Sequence, residues 1–370
     1  MVKRKIGILT LPLHGNYGGV LQLFALKKFL LELGHEVIHI NRWKNIQKPK
    51  GAIKLILKGK GVKSILMNYI DPSYNFKKET AIFSNFIDKY IAPSSDLLRS
   101  TKQLDSYFKE ANFDAVIVGS DQVWRERYTP NVYDYFLDFD FGETKKISYA
   151  ASYGLNEYEA IKSKPTKIAA LLKDFDAISV REDIAVEWFG SLGIDNVEHV
   201  IDPTLLLLKE DYDSILDQGE KFEDKKLVTY ILDDSVECED AIAKVASHKN
   251  LAPYNLRIKT KSGSEDRQDC LIEHWLKSFR DANFILIDSF HGLVFSALFN
   301  VPFIAICNAS RGAARFTSIC KQLGLEDRLV FGYDDITEDL LNQKIDWKDV
   351  NTRLTSLRKN SKSFLEKSLV

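Results

Sequence analysis

The sequence predicts an α/β protein built from two doubly wound domains, each a parallel sheet with helices on both faces. Three observations lead to this prediction. At 370 residues the chain is longer than one hydrophobic core usually supports. Short apolar runs, typical of buried parallel strands, alternate with helical patterns in two separate series. A polar run at residues 209–226 lies between the two series and predicts a linker.

The first series predicts an N-terminal domain at residues 1–208. A glycine-rich loop at residues 12–19 follows its first strand and precedes a helix at about residues 20–33. Such a loop can cradle a phosphate, but it lacks the dinucleotide fingerprint, and its glycines can equally serve close packing against the other domain. Both interpretations stay open. The six predicted strands are 6–11, 36–41, 115–118, 146–150, 177–180 and 197–201.

Residues 42–93 interrupt this series and are predicted to form a basic helical insertion. Eight cations lie between Arg42 and Lys63, aliphatic residues are interleaved with them, and the next acid is Asp71. One interpretation is an ordinary solvated loop and helix. The other is a surface that docks on an anionic membrane, since each basic residue near such a surface contributes about 1 kcal/mol.

The second series predicts a C-terminal domain at residues 227–350, followed by a helix at residues 351–370 with one apolar side. Two doubly wound domains that face each other across a cleft form an architecture of the GT-B type. The predicted strands are 227–232, 253–256, 284–287, 303–306 and 329–331.

The most informative part of the second series is its β-α-β unit at residues 284–306. His291 lies at the predicted strand-to-helix turn, the place where parallel sheets bind ligands. One interpretation is a buried histidine satisfied by a backbone carbonyl. The other is a pocket for a small, highly charged anion, because Arg311 and Arg315 follow the next strand and no acid occurs between Asp288 and Glu326.

The composition excludes several classes of protein. A net charge of -1 gives no global attraction to nucleic acid. The four cysteines lack metal-binding spacing, so we expect reduced thiols and no metal. The basic N-terminus precedes too short an apolar run for a signal peptide, and no stretch has the length of a membrane span. These features predict a cytoplasmic protein.

Six motifs, in this order and spacing, resemble the polysaccharide pyruvyl transferase family over nearly the whole chain. They are Gly15-Asn-Tyr-Gly-Gly-Val-Leu-Gln22, Val118-Gly-Ser-Asp-Gln-Val-Trp124, Ser179-Val-Arg-Glu182, Ile201-Asp-Pro-Thr204, Asp288-Ser-Phe-His-Gly292 and Arg311-Gly-Ala-Ala-Arg-Phe316. The resemblance implies an enzyme that moves pyruvate from phosphoenolpyruvate onto two hydroxyls of a sugar and forms a ketal. Galactose is the expected sugar. Such enzymes act in the biosynthesis of surface or capsular polysaccharides.

The resemblance also implies site residues. The family's functional histidine falls on His291, and an arginine of its donor site falls on Arg181, so these two are the predicted catalytic residues. Many members carry an arginine where this chain has Ser289, and we expect Arg311 and Arg315 to supply that charge. The predicted substrate-binding residues are His14, Asn16, Tyr17, Gly18, Gln22, Ser120, Asp121, Gln122, Ser289, Arg311 and Arg315.

The chemistry implied by the resemblance agrees with these residue types. Phosphoenolpyruvate carries a carboxylate and a phosphate, which cations and helix N-termini bind, and a histidine suits proton transfer near neutral pH. No metal or organic cofactor is called for. We expect the first domain to hold the acceptor and the second the donor. A lipid-linked acceptor would place the protein in the cytoplasm, in peripheral contact with the inner face of the membrane.

Two other functions remain as alternatives. A sugar-nucleotide glycosyltransferase would share the architecture, but such enzymes commonly place carboxylates on the donor side, where residues 289–325 carry none. A glycan-binding protein without catalysis is the second alternative.

Overall fold

A computed structural model describes most of the chain. It covers residues 2–44, 67, 70–71, 73–154, 164–216, 226–233, 235–256, 258–259, 267–268, 270–307 and 309–370, with the backbone alone at 258–259, 267–268 and 309–311. Within these ranges no helix combines the length and the apolar character that crossing a membrane requires.

The first sheet has six parallel strands in the order β2-β1-β3-β4-β5-β6. Its strands are β1 (Lys5–Leu9), β2 (Glu36–His39), β3 (Ala115–Val118), β4 (Lys145–Ala151), β5 (Ala177–Val180) and β6 (Val197–His199). The helices of this half are α1 (Tyr17–Glu32), α2 (Tyr74–Thr80), α3 (Ser84–Phe86), α4 (Thr101–Ala111), α5 (Val132–Tyr135), α6 (Pro165–Lys173), α7 (Asp183–Ser191) and α8 (Lys209–Asp213). Short 3-10 or π turns occupy Ala81–Phe83, Ile87–Ile91 and Pro203–Leu205.

The second sheet has five parallel strands in the order β13-β12-β11-β7-β8. Its strands are β7 (Lys226–Tyr230), β8 (Ala252–Asn255), β11 (Phe284–Ile287), β12 (Phe303–Ile306) and β13 (Leu329–Val330), while β9 (Ile258–Lys259) and β10 (Arg267–Gln268) form a small antiparallel pair. The helices are α9 (Val236–Lys249), α10 (Ile272–Asp281), α11 (Phe290–Leu298), α12 (Ala309–Leu323), α13 (Glu338–Asn342) and α14 (Trp347–Ser368), with 3-10 turns at Glu326–Arg328 and Tyr333–Asp335.

Both sheets share one topology, and this topology fixes where a ligand can bind. In each sheet, the second strand along the chain lies on one side of the first strand, and the next strand to join the sheet lies on the other side of the first strand. The winding direction therefore reverses between β1 and β3, and again between β7 and β11. Ligands of doubly wound proteins bind beyond the carboxyl ends of strands at such switch points. The predicted fold class, two Rossmann-like domains, is confirmed.

Helix α1 joins the two domains through its packing. Most of its residues are buried on all sides, because it lies between the first sheet and the second domain. The Tyr17 ring stacks on Trp275 of α10, with ring centroids 5.3 Å apart. The Tyr17 hydroxyl donates to the carbonyl of Cys270 at 2.5 Å. The N-terminal end of α1 is thus held at the contact between the domains.

The last helix, α14, returns to the first domain. The Ser361 hydroxyl accepts from the backbone N–H of Ile201 at 3.1 Å, and Arg358 Nε donates to the carbonyl of Leu205 at 2.7 Å. This helix was predicted at residues 351–370 and begins slightly earlier, at Trp347. The predicted linker, residues 209–226, starts with helix α8, and residues 217–225 lie outside the described residues.

The basic insertion is described only in part. Residues 45–66 lie outside the described residues, and short helical segments occupy the stretch from Tyr74 to Ile91. Arg42 was counted among the exposed cations, and this was wrong. Its side chain is buried and its Nε lies 2.8 Å from Asp134 Oδ2, a carboxylate that also accepts from Thr101 and Asn131. A buried charge needs such a partner, and the sequence does not show it.

Buried His39 makes the fold sensitive to acid. Burial lowers its pKa to about 3, with a further contribution from Lys27. The unfolded chain therefore takes up a proton below about pH 6.5 that the folded chain does not, and stability falls as the pH decreases. Between pH 6.5 and 5 we expect His39 to cost roughly 2 kcal/mol of unfolding free energy. Urea unfolding of His39→Gln should show a flatter pH dependence, whereas His248→Gln, at a surface contact, should keep the wild-type slope.

Candidate active site

The switch points of both sheets face one cavity of about 420 Å³ between the domains. From the first domain, the loop after β1 and the residues after β3 line it. From the second domain, Tyr230 at the end of β7 and Leu232 after it line the cavity, together with Asp288 and Ser289 after β11. All four strand ends at which ligands are expected therefore meet in one cleft.

The N-terminus of α1 opens into this cleft without a side-chain cap. Asn16 is the N-cap residue, and its side chain makes no capping hydrogen bond. The first turn contains Tyr17, Gly18 and Gly19 and carries no acid. The first backbone N–H groups of a helix have no partner within the helix, and together with the helix dipole they favour an anion. The helix start was predicted as part of a glycine loop, which was wrong.

His291 lies in the first turn of α11, directly opposite. The residues Phe290 to Gly292 were predicted as a sharp turn, but the helix already begins at Phe290 because the Ser289 hydroxyl accepts from the backbone N–H of Gly292 at 3.0 Å. The ring packs so closely on α1 that a Cβ built on Gly18 would lie 1.8 Å from His291 Nδ1. The two helices thus meet through a glycine and an imidazole.

Buried charges surround the histidine. His291 Nε2 lies 3.5 Å from Asp202 Oδ2, and Arg181 donates to Asp202 at 2.6 Å and to Asp121 at 3.2 Å. Asp121 was among the predicted binding residues, but Asp202 was not, because the acid-free stretch after Asp288 gave no sign of a carboxylate that enters from the first domain. Burial opposes the ionisation of Asp202, but His291 and Arg181 outweigh it and hold the pKa of this carboxyl well below its usual value.

The same network of buried charges also shifts the pKa values of Asp121, Arg181 and Glu182. Burial also opposes the ionisation of Asp121, yet Arg181, His291 and Arg315 lower its pKa. Burial alone would lower the pKa of Arg181, but Asp202 and Asp121 raise it. Glu182 differs, because burial raises its pKa despite Arg181 and a hydrogen bond from Ser152. Arg181 stays charged, and its guanidinium also lies over the Phe290 ring, 4.3 Å from the centroid.

Arg315 brings a second cation into the cleft. Helix α12 is kinked at Gly312, whose φ is +117°, and a Cβ there would lie 2.1 Å from the carbonyl oxygen of Gly154 in the first domain. The kink therefore allows a close contact between the domains one turn before Arg315. Burial lowers the pKa of Arg315 to about 10, with a contribution from Arg181, so the guanidinium remains charged at neutral pH. The side chain of Arg311 lies outside the described residues.

Comparison with known proteins identifies the family. The model of the polysaccharide pyruvyl transferase family matches residues 16–310. The chain belongs to this family. The match covers four of the six motifs in full, including the one that contains His291, and the first motif from Asn16 onwards, and it ends just before Arg311, so Arg315 lies beyond it. No curated protein is significantly similar in sequence.

Solved structures share the fold with this pyruvyl transferase family member. The UDP-N-acetylglucosamine 2-epimerase from Rickettsia bellii aligns with a TM-score of 0.56 at 10% identity, over 100% of this chain and 97% of that one. The UDP-GlcNAc 2-epimerase from Methanocaldococcus jannaschii aligns with a TM-score of 0.53 at 12% identity, over 94% of this chain and 95% of that one. At such low identity the likeness shows the two-domain fold alone.

Most of the predicted site residues meet in the cleft of this family member, and others lie beneath it. Gln22 and Ser120 form a buried support, in which Gln22 Oε1 accepts from the backbone N–H of Ser120 at 2.9 Å. Arg181 is also absent from the lining, because its guanidinium faces Asp202, Asp121 and Phe290. The predicted residues that line the cleft are His14, Asn16, Tyr17, Gly18, Asp121, Gln122, Ser289, His291 and Arg315.

The sequence analysis missed several lining residues. Two of them could have been found, because Tyr230 lies near the end of the predicted strand 227–232 and Arg127 follows the Val118–Trp124 motif. Trp275 lies within a helix, and no local pattern marks it. The residues missed are Lys44, Arg127, Tyr128, Tyr230 and Trp275. Among the residues that the structure describes, no group of three or more His, Cys, Asp or Glu could hold a metal ion.

Proposed function

We propose that this protein transfers pyruvate from phosphoenolpyruvate to two hydroxyls of a sugar, forming a cyclic ketal during surface or capsular polysaccharide biosynthesis. Family membership supports the reaction type. The observation that carries the proposal is the meeting of an uncapped helix N-terminus, a histidine and an arginine in the cleft between the domains. These groups suit a small donor with two anionic groups.

The donor fits the positive side of the cleft. The backbone N–H groups of Tyr17, Gly18 and Gly19 can donate hydrogen bonds to one anionic group, and Arg315 can bind the other in a bidentate manner. Arg127 and Lys44 are exposed and line the same cleft. Asp121 is already paired with Arg181, which reduces its repulsion of an anionic donor.

The reaction needs three proton transfers. Protonation of the methylene carbon of phosphoenolpyruvate makes its C2 electrophilic, and the first sugar hydroxyl attacks C2 and loses its proton. The second hydroxyl then forms the other C–O bond, phosphate leaves with the C2–O bond pair, and that hydroxyl's proton goes to phosphate. The proton that was added to the methylene carbon stays in the new methyl group. His291 can give the proton to the donor and take one from the first hydroxyl, and no further cofactor is required.

The acceptor is proposed to be a galactoside on a lipid-linked oligosaccharide. Tyr230 and Trp275 form an aromatic part of the wall, the kind of surface that ligand pockets present to apolar faces. Both residues belong to the second domain, so this proposal departs from the expectation that the first domain holds the acceptor. A lipid-linked acceptor would bring the protein into peripheral contact with the inner face of the cell membrane, within the cytoplasm. The basic stretch at residues 45–63, which lies outside the described residues, would then face anionic lipid.

A direct assay tests the proposed function. The protein is incubated with phosphoenolpyruvate and a panel of galactosides, free and lipid-linked, while phosphate release and the ketal methyl group are followed. We expect phosphate and ketal in equal amounts with at least one acceptor. Transfer from UDP-sugars instead would identify a glycosyltransferase, and binding of glycans without turnover of either donor would identify a binding protein.

Arg315→Ala should weaken donor binding. Charge-assisted hydrogen bonds contribute roughly 1.5 to 3 kcal/mol each, so the apparent KM for phosphoenolpyruvate should rise about ten-fold or more. Lys321→Ala is the matched control, since Lys321 lies further along the same helix and pairs with Asp183 at an exposed position. If Arg315→Ala changed only the acceptor kinetics, Arg315 would belong to the sugar side of the cleft.

A further inference from the structure

The two ring nitrogens of His291 have different surroundings. Nε2 is buried, and among the described residues it has no hydrogen-bond partner at standard distance. The carboxylate nearest to it is Asp202, with Oδ2 at 3.5 Å. Nδ1 lies on the opposite side, next to the first turn of α1, where a Cβ at Gly18 would come within 1.8 Å of it. One nitrogen thus faces a carboxylate and the other faces the anion-binding end of a helix.

The Asp202 carboxylate is held in a fixed position. Its Oδ1 accepts from the backbone N–H of Thr204 at 3.0 Å and from the Thr204 hydroxyl at 2.7 Å. Its Oδ2 accepts from Arg181 Nη1 at 2.6 Å. A carboxylate oxygen has more than one acceptor site, so Oδ2 can accept a further proton donor from the side of His291. The side chain is fully buried, and water does not compete for these contacts.

We propose that Asp202 positions His291 by accepting a hydrogen bond from Nε2–H, which leaves Nδ1 as the nitrogen that exchanges protons with the substrates. An ionised carboxylate can only accept hydrogen bonds, so the opposite tautomer would place two lone pairs against each other. The distance of 3.5 Å is longer than an ideal hydrogen bond. Catalytic hydrogen bonds are often long before the reacting complex forms and then tighten.

This arrangement assigns the two proton transfers that involve the histidine, and in this respect it rests on the proposed function. In the imidazolium form, Nδ1–H gives its proton to the methylene carbon of the donor. The neutral ring then takes a proton at Nδ1 from a sugar hydroxyl. Asp202 remains ionised throughout and stabilises the imidazolium, as a buried carboxylate does for a catalytic histidine. The anion bound at the N-terminus of α1 lies beside Nδ1, so the reacting atoms meet there.

Asp202→Asn tests the proposal, because asparagine preserves the shape but presents either an amide N–H or a neutral oxygen to the ring. We expect kcat to fall roughly 10²- to 10⁴-fold, while the apparent KM for phosphoenolpyruvate changes by less than about three-fold. The matched control is Asp183→Asn, an exposed carboxylate near the same sheet edge that pairs with Lys321. It should keep the wild-type kcat.

Thr204→Val provides a second variant if Asp202→Asn does not fold. It removes one hydrogen bond from the carboxylate while the backbone N–H contact remains, so kcat should fall up to about ten-fold. An unchanged kcat in a folded Asp202→Asn, or in Thr204→Val if Asp202→Asn does not fold, would overturn the proposal. So would a loss confined to the KM for phosphoenolpyruvate, since that result would describe a donor-binding role.

A measurement without substrate separates this proposal from the proposed function. ¹⁵N NMR of the full-length protein with labelled histidine, at a pH where the ring is neutral, reports which nitrogen carries the proton. The His291 signals are assigned by their loss in His291→Gln. We expect Nε2–H in the wild type and a change of tautomer populations in Asp202→Asn. A wild-type Nδ1–H tautomer would overturn the proposal even if pyruvyl transfer occurs, whereas Nε2–H without turnover of phosphoenolpyruvate would count against the proposed function alone.

Discussion

His291→Ala should lower kcat by about two to four orders of magnitude, the usual range for the loss of a general acid or base. The reason is its position, since no other described histidine lies in the cleft beside both an anion-binding helix end and a buried carboxylate. His14 lines the cleft, but its Nδ1 contacts Glu79 at 2.5 Å, near the basic insertion. The loss should be measured as phosphate release at saturating phosphoenolpyruvate.

The control for this variant is His248→Ala, since His248 lies on α9, away from the cleft, and contacts Asn342 at 2.9 Å. Circular dichroism and a binding measurement with phosphoenolpyruvate establish that His291→Ala is folded and still binds its donor. Near-normal turnover in such a protein would mean that the ring serves only the packing between α1 and α11. Turnover lost together with donor binding would instead make His291 a binding residue.

Much of the fold could be predicted because buried parallel strands are apolar on both faces. Phe284–Ile287 and Phe303–Ile306 were predicted at their observed bounds. The predicted starts of the helices were less accurate. Gly18, Gly19 and Gly292 led to the prediction of loops, yet all three lie in the first turns of helices. At these positions glycine allows close packing and does not form a connecting loop. The serine before Phe290 was a usable capping signal.

The electrostatics of the site could not be predicted from neighbouring residues. The stretch after Asp288 carries no acid, but Asp202, which was not among the predicted site residues, reaches His291 from the other domain together with the predicted Asp121. Arg42 was predicted in a solvated or membrane-facing stretch and Arg181 in the donor site, yet both are buried against carboxylates distant in sequence. A buried charge needs a partner of opposite charge, and the three-dimensional fold determines which residue that is, not the local sequence.

Gly18→Ala should reduce kcat about 100-fold, although it adds a single methyl group. That methyl carbon would lie 1.8 Å from His291 Nδ1, far inside contact distance, so the ring or the helix has to move. A displacement of about 1 Å at a reacting group can cost on the order of 10²-fold in rate. Gly19→Ala is the matched comparison, because its Cβ would meet Asn16 at 3.3 Å and the effect should be much smaller.

The double variant Gly18→Ala/His291→Ala shows whether the loss acts through the ring. Without the imidazole the added methyl group has no clash, so kcat of the double variant should equal that of His291→Ala alone. Groups in contact give such non-additive effects, whereas independent sites give additive ones. A double variant slower than His291→Ala by the full Gly18→Ala factor would show that the added methyl group acts independently of the imidazole, through the backbone of α1.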